Sequence, residues 1–407
     1  MRGRIQPAAS ESTLRVLHVS AYFAPAFCYG GPPRSVLGLC RGLARAGVEV
    51  EVFTTTANGD RELPASPPEG DCYDGVRVRY FPLAFPRRLF SARHLDTALD
   101  GLGRRCDLVH VHGLWNRPAW MASRRARQAG LPYVISPRGM LDAGSLARHA
   151  AAKRLGYRIV ERRNLAHAAL LHASSAFEAA ALEQRRLGVP IAVVPNGVEG
   201  PDGVPPARGG FRQRLGVPNA APLVVFIGRI HPVKRLDLLA AAFEHVLSRR
   251  PDAHLVVAGR DELGHRRALA PSFARAGERV RFTGELGEAE KWALLADSDV
   301  LVLCSDSESF GLSALEALAA GVPVVATRTC PWEDIERAGA GLWVPQDPLA
   351  MADALGRIID EPATARAMGE RGRALARSRY SWDSIGRAMA EQYRRVAGRR
   401  PSPVPVS

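Results

Sequence analysis

The feature that most limits how this chain can fold is an alternation. Short runs rich in β-branched residues, LRVLHVS, VEVEVFTT, VRVRYF, DLVHVH, PYVISP, ALLHAS and IAVVPN, recur through the first half with helical stretches between them. Strands separated by helices imply strand–helix–strand units in a parallel sheet, whose strands are covered on both faces and therefore read as nearly continuous apolar runs. RSVLGLCRGLARAG shows the helical partner. It places Val36, Leu37, Leu39, Cys40 and Leu43 on one face and stops at Gly47, a residue favoured beyond a helix C-terminus.

The series halts at NGVEGPDGVPPARGG, a Pro/Gly-rich stretch without apolar periodicity, and restarts with PLVVFIG, HLVVAG, RVRFTG, DVLVLCS, VPVVAT and GLWVP. The sequence thus predicts two doubly wound α/β domains, 1–198 and 199–380, then a last helix over 381–396. The Pro-rich tail 397–407 reads as disordered. Open parallel sheets bind ligands beyond the carboxyl ends of their strands, so two such domains enclose a central cleft and chemistry is expected just after strands.

Composition narrows the function classes. With 407 residues and 46% hydrophobic content the chain can bury sizeable cores, and every apolar run is cut too early to cross a bilayer. The start, MRGRIQPAASESTLRVLHVS, lacks the apolar region of a secretory signal, so a cytoplasmic location is expected, peripheral at the inner membrane face if an acceptor is lipid-linked. The six cysteines are scattered and no His cluster has zinc spacing, which predicts neither a disulfide framework nor a metal site. A net charge of +14 favours anionic partners, whether phosphorylated small molecules or an anionic membrane. Nucleic acid is disfavoured, since the basic runs lack interleaved aromatics. KRLGYRIVERRN is read as a basic helix with Leu155, Ile159 and Val160 as its apolar side, packed on the domain core.

Two turns carry the chemistry. In DVLVLCSDSESFGLSALEALAAG, Glu308 lies in the turn after a strand, and the amides of Phe310, Gly311 and Leu312 open the next helix without intrahelical partners. A phosphate placed there gains hydrogen bonds and the helix dipole, and Gly311 permits close approach. Glu316, one turn further, can accept from the vicinal hydroxyls of a ribose. In GRIHPVKRLDLLAAAF, Arg229 and Lys234 flank another strand–helix turn, with a fork and a point charge suited to a diphosphate. Together the turns describe a nucleotide-sugar pocket.

GRIHPVK and ESFGLSALE are the G-R-x-x-x-x-K and E-x7-E hallmarks of retaining GT-B glycosyltransferases of family 4, which the chain resembles over essentially its whole length. YGGPPRSVLGL resembles that family's glycine-rich first loop, and VHVHGLW and SPRGMLD its loops facing donor sugar and acceptor. The resemblance implies that Glu308 contacts the transferred sugar and Glu316 the ribose, that Arg229 and Lys234 hold the diphosphate, and that His112 faces the sugar. Gly30 and Gly31 would admit the donor phosphates, and the last helix would cross back onto the first domain. Arg138 stands where relatives commonly carry His; an anionic acceptor group is its expected partner.

The implied activity is retaining, metal-independent hexosyl transfer from a nucleoside-diphosphate sugar, bound as substrate without a cofactor, to a hydroxyl of a glycan or lipid-linked acceptor in cell-surface polysaccharide or glycolipid synthesis. A sugar-nucleotide epimerase of the same architecture is the alternative. A Rossmann oxidoreductase is disfavoured, because no G-x-G-x-x-G follows the first strand and the G-x-G of GLGRRC comes after a helical stretch. His18 and His110, on strands, are read as buried structural imidazoles.

Overall fold

The computed structural model describes residues 13–67, 69–142, 145–146, 150–200 and 208–398. The first half contributes β1 (Arg15–Ser20), β2 (Glu49–Thr55), β3 (Ala57–Asn58), β4 (Arg61–Glu62) and β5 (Asp71–Tyr73). It continues with β6 (Val76–Phe81), β7 (Leu108–His112), β8 (Tyr133–Ser136), β9 (Leu170–Ala173) and β10 (Ile191–Val193). The second half contributes β11 (Leu223–Ile227), β12 (His254–Ala258), β13 (Val280–Gly284), β14 (Val300–Leu303), β15 (Val324–Thr327) and β16 (Gly341–Val344).

These strands form an eight-stranded sheet ordered β10-β9-β8-β7-β1-β2-β6-β5 and a six-stranded sheet ordered β13-β12-β11-β14-β15-β16. The second is parallel throughout. In the first, β1 lies between β2 and β7, and in the second β11 lies between β12 and β14. The strand order reverses at these places, so crossovers leave on opposite faces and a crevice opens at the carboxyl ends.

The all-parallel expectation fails at one edge. β5 runs antiparallel to β6, and β3 pairs with β4 in a separate two-stranded ribbon. Asp74 and Gly75 join β5 to β6 with φ of 50° and 77°, the two-residue Asp-Gly turn whose twist suits a hairpin. An edge strand can reverse in this way because nothing pairs on its far side.

Helix Gly31–Arg45 buries Val36, Leu37, Leu39, Cys40 and Leu43, the face read from its periodicity. Across it lies helix Trp382–Ala397, whose Trp382, Ile385, Met389, Ala390 and Tyr393 share a core with Val16, Leu39 and Leu43. The crossing is made at Gly42 and Gly386: a Cβ on Gly386 would stand 2.2 Å from the Gly42 carbonyl carbon. The second domain places core on both sides of its sheet, one side built around Phe243, Leu239 and Val257 and the other around Trp332, Leu315 and Leu301.

The basic segment near 155 is a correction. Leu155 and Ile159 are 61% and 64% exposed instead of facing the core. The buried side belongs to Glu161, whose carboxylate accepts from the Trp115 amide at 2.6 Å and from Trp120 Nε1 at 2.7 Å. That pair of bonds sets the rotation of the segment and turns its apolar residues outward. Among the described residues no helix is long and apolar enough to cross a membrane. The N-terminal segment 1–12, the linker core 201–207 and the tail 399–407, whose character was read from sequence, lie outside the described residues.

Candidate active site

The turn after β11 is built around His231, whose Nδ1 accepts from the Val233 amide at 3.1 Å and so opens the single 3₁₀ turn Pro232–Lys234. Arg235 follows at φ 52°, which ends the turn and starts helix Leu236–Arg249. The turn leaves the Lys234 ammonium in contact with the Glu308 carboxylate, which also accepts from Ser305 Oγ at 3.2 Å. Arg229 reaches sideways to Glu262 at 2.8 Å.

After β14 the chain crosses Glu308 and turns at Gly311, φ 86°, into helix Leu312–Ala320. A Cβ at Gly311 would lie 2.7 Å from Leu303 Cδ2, so space as well as conformation requires glycine there. Phe310 is not free to face a ligand with its ring, which is buried against Trp332 and Tyr380 at centroid separations of 5.3 and 6.1 Å. Its backbone remains on the cleft side. Glu316 accepts from Lys291 Nζ at 2.6 Å, and Lys291 also contacts Glu288 at 2.9 Å.

These groups line a cleft of about 820 Å³ between the domains, together with Gly30, Gly31, Arg34 and Arg138 from the first half. The domains meet tightly at its edges: a Cβ at Gly31 would be 3.0 Å from Leu312 Cδ1, Ser174 Oγ donates to the Ser309 carbonyl at 3.3 Å, and Arg34 pairs with Glu288. The structure thus brings together Gly30, Gly31, Arg229, Lys234, Glu308, Phe310, Gly311, Leu312 and Glu316. Each of the two carboxylates is in contact with a lysine.

His112 is the exception among the sequence-derived site residues. It does not line the cleft; its ring is buried in the first sheet, and both nitrogens have partners. Nδ1 lies 3.2 Å from Arg138 Nη2 and Nε2 lies 2.9 Å from His18 Nδ1. Burial pulls His18 down to about 3 and His172 to about 4, and holds His110 and His112 well below the usual imidazole range, so all four rings are neutral. Each then carries one N–H, and the partners assign it. Arg138 can only donate, so His112 Nδ1 is bare and its Nε2–H donates to His18. The proton of His18 is left on Nε2, which is buried without a partner.

A second chain runs beside the first. His172 Nε2 must donate to the Val194 carbonyl at 2.7 Å, so its Nδ1 accepts from Ser136 Oγ at 2.6 Å. Ser136 in turn accepts from His110 Nε2 at 2.6 Å, and His110 Nδ1 accepts from the Tyr393 hydroxyl at 2.5 Å. Nitrogens of His18, His110 and His112 lie within 4.8 Å of one another, a grouping that spacing along the chain did not reveal. Its chemistry is that of oriented hydrogen bonds beside a guanidinium, since His112 Nδ1 is committed to Arg138, a neighbour that opposes another cation.

Two facing Rossmann-like domains, with cations and helix N-terminal amides on one wall and a glycine loop on the other, define a nucleotide-sugar-dependent glycosyltransferase. Residues 208–375 match the family described as glycosyl transferases group 1, and residues 30–197 match the glycosyl transferase 4-like domain. The chain is 34% identical to a D-inositol 3-phosphate glycosyltransferase of Kineococcus radiotolerans, over 90% of this chain and 91% of that protein. It is 33% identical to the protein of that name from Xylanimonas cellulosilytica, over 92% and 93%. Among solved structures it resembles sucrose-phosphate synthase from Thermosynechococcus elongatus, with TM-score 0.74, 23% identity and coverage of 95% and 99%. It also resembles Anabaena HepE in complex with UDP-glucose, with TM-score 0.68, 20% identity and coverage of 94% and 100%. The chain belongs to the group 1 glycosyltransferases, and its fold is GT-B.

Sequence reasoning missed Lys291, Arg34, Glu262 and Asp142. Lys291 sits in helix Glu288–Asp297 within EAEKW, where a lysine three residues after a glutamate reads as a surface pair. Asp142 accepts from Ser307 Oγ across the domains at 3.4 Å, and burial, with the nearby Glu178 charge, raises it to about 6. No local pattern announces either contact.

Proposed function

We propose that the protein is a retaining, metal-independent hexosyltransferase that moves a sugar from a nucleoside diphosphate to an acceptor hydroxyl. The observation that carries this reading is the pairing of Lys234 with Glu308 and of Lys291 with Glu316 at the two ends of one cleft. The donor would exchange these pairings for its own groups. Glu316 accepts from the ribose hydroxyls, and Arg229, Lys234 and the amides of Phe310, Gly311 and Leu312 hold the diphosphate. Glu308 binds hydroxyls of the transferred sugar. Gly30 and Gly31 give the phosphates and the acceptor room from the other wall.

Cations and amides oppose the charge that grows on the leaving diphosphate, the role a divalent ion has in carboxylate-rich donor sites. Glu308 is held by Lys234 and committed to hydroxyls, which favours a same-face reaction: the acceptor oxygen bonds to the anomeric carbon as the phosphate leaves, and that phosphate takes the acceptor proton. His112 acts from behind, through Arg138, as a neutral positioning group.

The test is transfer with purified protein and a panel of nucleoside-diphosphate sugars. Nucleoside diphosphate should be released only when acceptor is present, EDTA should leave the rate unchanged, and the anomeric proton of the product should show the donor's configuration. An inverted product would overturn the retaining reading, and loss of activity in EDTA the metal-independent one.

The acceptor is read as a glycan, a lipid-linked sugar or a phosphorylated polyol, the last because the relatives above are D-inositol 3-phosphate glycosyltransferases by name. We read the enzyme as cytoplasmic and as building cell-surface polysaccharide or glycolipid; exposed Leu155 and Ile159 beside Arg154, Arg158, Arg162 and Arg163 support its contact with an anionic membrane. Cosedimentation with anionic vesicles, lost in Leu155→Glu/Ile159→Glu, checks that contact.

A further inference from the structure

Arg138 follows β8 in a left-handed conformation, φ 54°, which a side-chain-bearing residue adopts only under constraint. Arg138 is among the residues that line the cleft. Nη1 donates to Ser35 Oγ at 2.8 Å and Asn196 Oδ1 at 3.4 Å, and Nη2 donates to His112 Nδ1 at 3.2 Å. All three acceptors are neutral. A guanidinium has five N–H groups, so the Nε–H and one Nη2–H have no protein partner among the described residues, and Nε is wholly shielded from water.

Among the described residues no carboxylate balances this charge by direct contact. Glu178 is near enough to be felt by it, but its oxygens serve the Gly139 amide at 2.7 Å, the Ser174 amide at 2.8 Å and Ser174 Oγ at 2.7 Å. A shielded cation without a counterion is costly, and arginine cannot escape by losing its proton. The donor diphosphate already has Arg229 and Lys234 on the opposite wall. The guanidinium on the first domain's wall, on a backbone at φ 54°, is hydrogen-bonded only to neutral groups and has no anion in contact.

We propose that Arg138 is a recognition site for an anionic oxygen group, a phosphate or carboxylate, carried by the acceptor or by the transferred sugar. The inference rests on the nucleotide-sugar reading of the cleft and adds a second anion to it. Ser35 and Asn196 hold the fork from its Nη1 end and His112 takes one Nη2–H, leaving the second Nη2–H and the uncompensated charge for an anionic oxygen.

Calorimetry on the full chain and on Arg138→Gln and Arg138→Lys tests this with two matched pairs: inositol 3-phosphate against inositol in the presence of UDP, and UDP-glucuronate against UDP-glucose. The native protein should bind the charged member of one pair at least about tenfold more tightly, and the pair that shows it identifies the source of the anion. Arg138→Gln should abolish that preference, and Arg138→Lys, which keeps the charge without the fork, should retain part of it. No charged-over-neutral preference in either pair, or equal weakening of all ligands by Arg138→Gln, overturns the proposal. Failure of the native protein to bind any nucleoside diphosphate would instead overturn the donor-site reading on which it rests.

Discussion

The hydroxyl of Tyr393, about one turn from the end of the last helix, lies 2.5 Å from Nδ1 of His110 in the middle strand region of the first sheet. The helix that crosses over from the second domain is thereby bonded to a line of neutral imidazoles that ends beside the cleft. His110 is packed against His112 at a ring separation of 4.1 Å, and His112 accepts from Arg138. The terminal helix and the cleft are thus linked through two hydrogen-bonded chains that pack against each other at the His110 and His112 rings.

Tyr393→Phe should therefore destabilise the protein. It leaves His110 Nδ1 as a buried acceptor without a donor, which costs about 1–3 kcal/mol. Urea unfolding should show a lower midpoint with an unchanged slope. An unaltered midpoint would mean that the ring contacts alone hold the helix.

Gly386→Leu should act on the same crossing by steric exclusion. Even the first carbon of the new side chain would fall 2.2 Å from the backbone of Gly42, which cannot give way as a flexible side chain could. Forcing apart a packed interface costs about 1–3 kcal/mol or more, so thermal unfolding should shift several degrees lower. A shift upward, from the gain in helix propensity, would show that the helices separate freely.

Acid should unfold the first domain through its imidazoles. Their folded values lie below the unfolded value, down to about 3 for His18 and about 4 for His172, with burial the leading cause. The folded state then binds fewer protons than the unfolded state, so their stabilising contribution is full above pH ~6.5 and falls as pH drops toward those values. Each such ring contributes a slope of up to about 1.4 kcal/mol per pH unit. His172→Gln should make the decline between pH 6 and pH 4 shallower; an equal decline would assign acid lability elsewhere.

The two cleft carboxylates should separate by ligand. Glu316→Ala should weaken nucleoside diphosphate itself, while Glu308→Ala should weaken the nucleotide-sugar more than the sugar-free diphosphate. Lys234→Ala should reduce turnover about ten- to a hundredfold, the worth of one charge-assisted contact of roughly 1.5–3 kcal/mol. Equal weakening of both ligands by both glutamate variants would remove the division of roles.

Much of the second-domain wall was legible because its functional groups are local. Arg229 and Lys234 are five residues apart in one turn, and Glu308 and Glu316 eight apart in one turn and helix, so spacing alone carries their geometry. The first-domain wall was less legible. The sequence offered His112, at a strand end before a glycine, as the cleft residue; the fold buries that imidazole and presents Arg138. A strand end does not say which way its last side chain points, because the period of two reverses with a single residue.

Sequence by itself determined the parallel body of each sheet, the buried face of helix Gly31–Arg45 and the glycine turns, since these follow from apolar period and backbone conformation within a few residues. Tertiary structure alone decided which charges meet. Lys291 on Glu316, Arg34 on Glu288, Tyr393 on His110 and Arg138 without a carboxylate join positions 25, 254, 283 and more residues apart or leave them apart. The reason is physical: hydrophobic patterning is non-directional and repeats along the chain, so it can be read locally, whereas a hydrogen bond or ion pair exists only when two particular groups come within about 3 Å, a condition set by how whole elements pack.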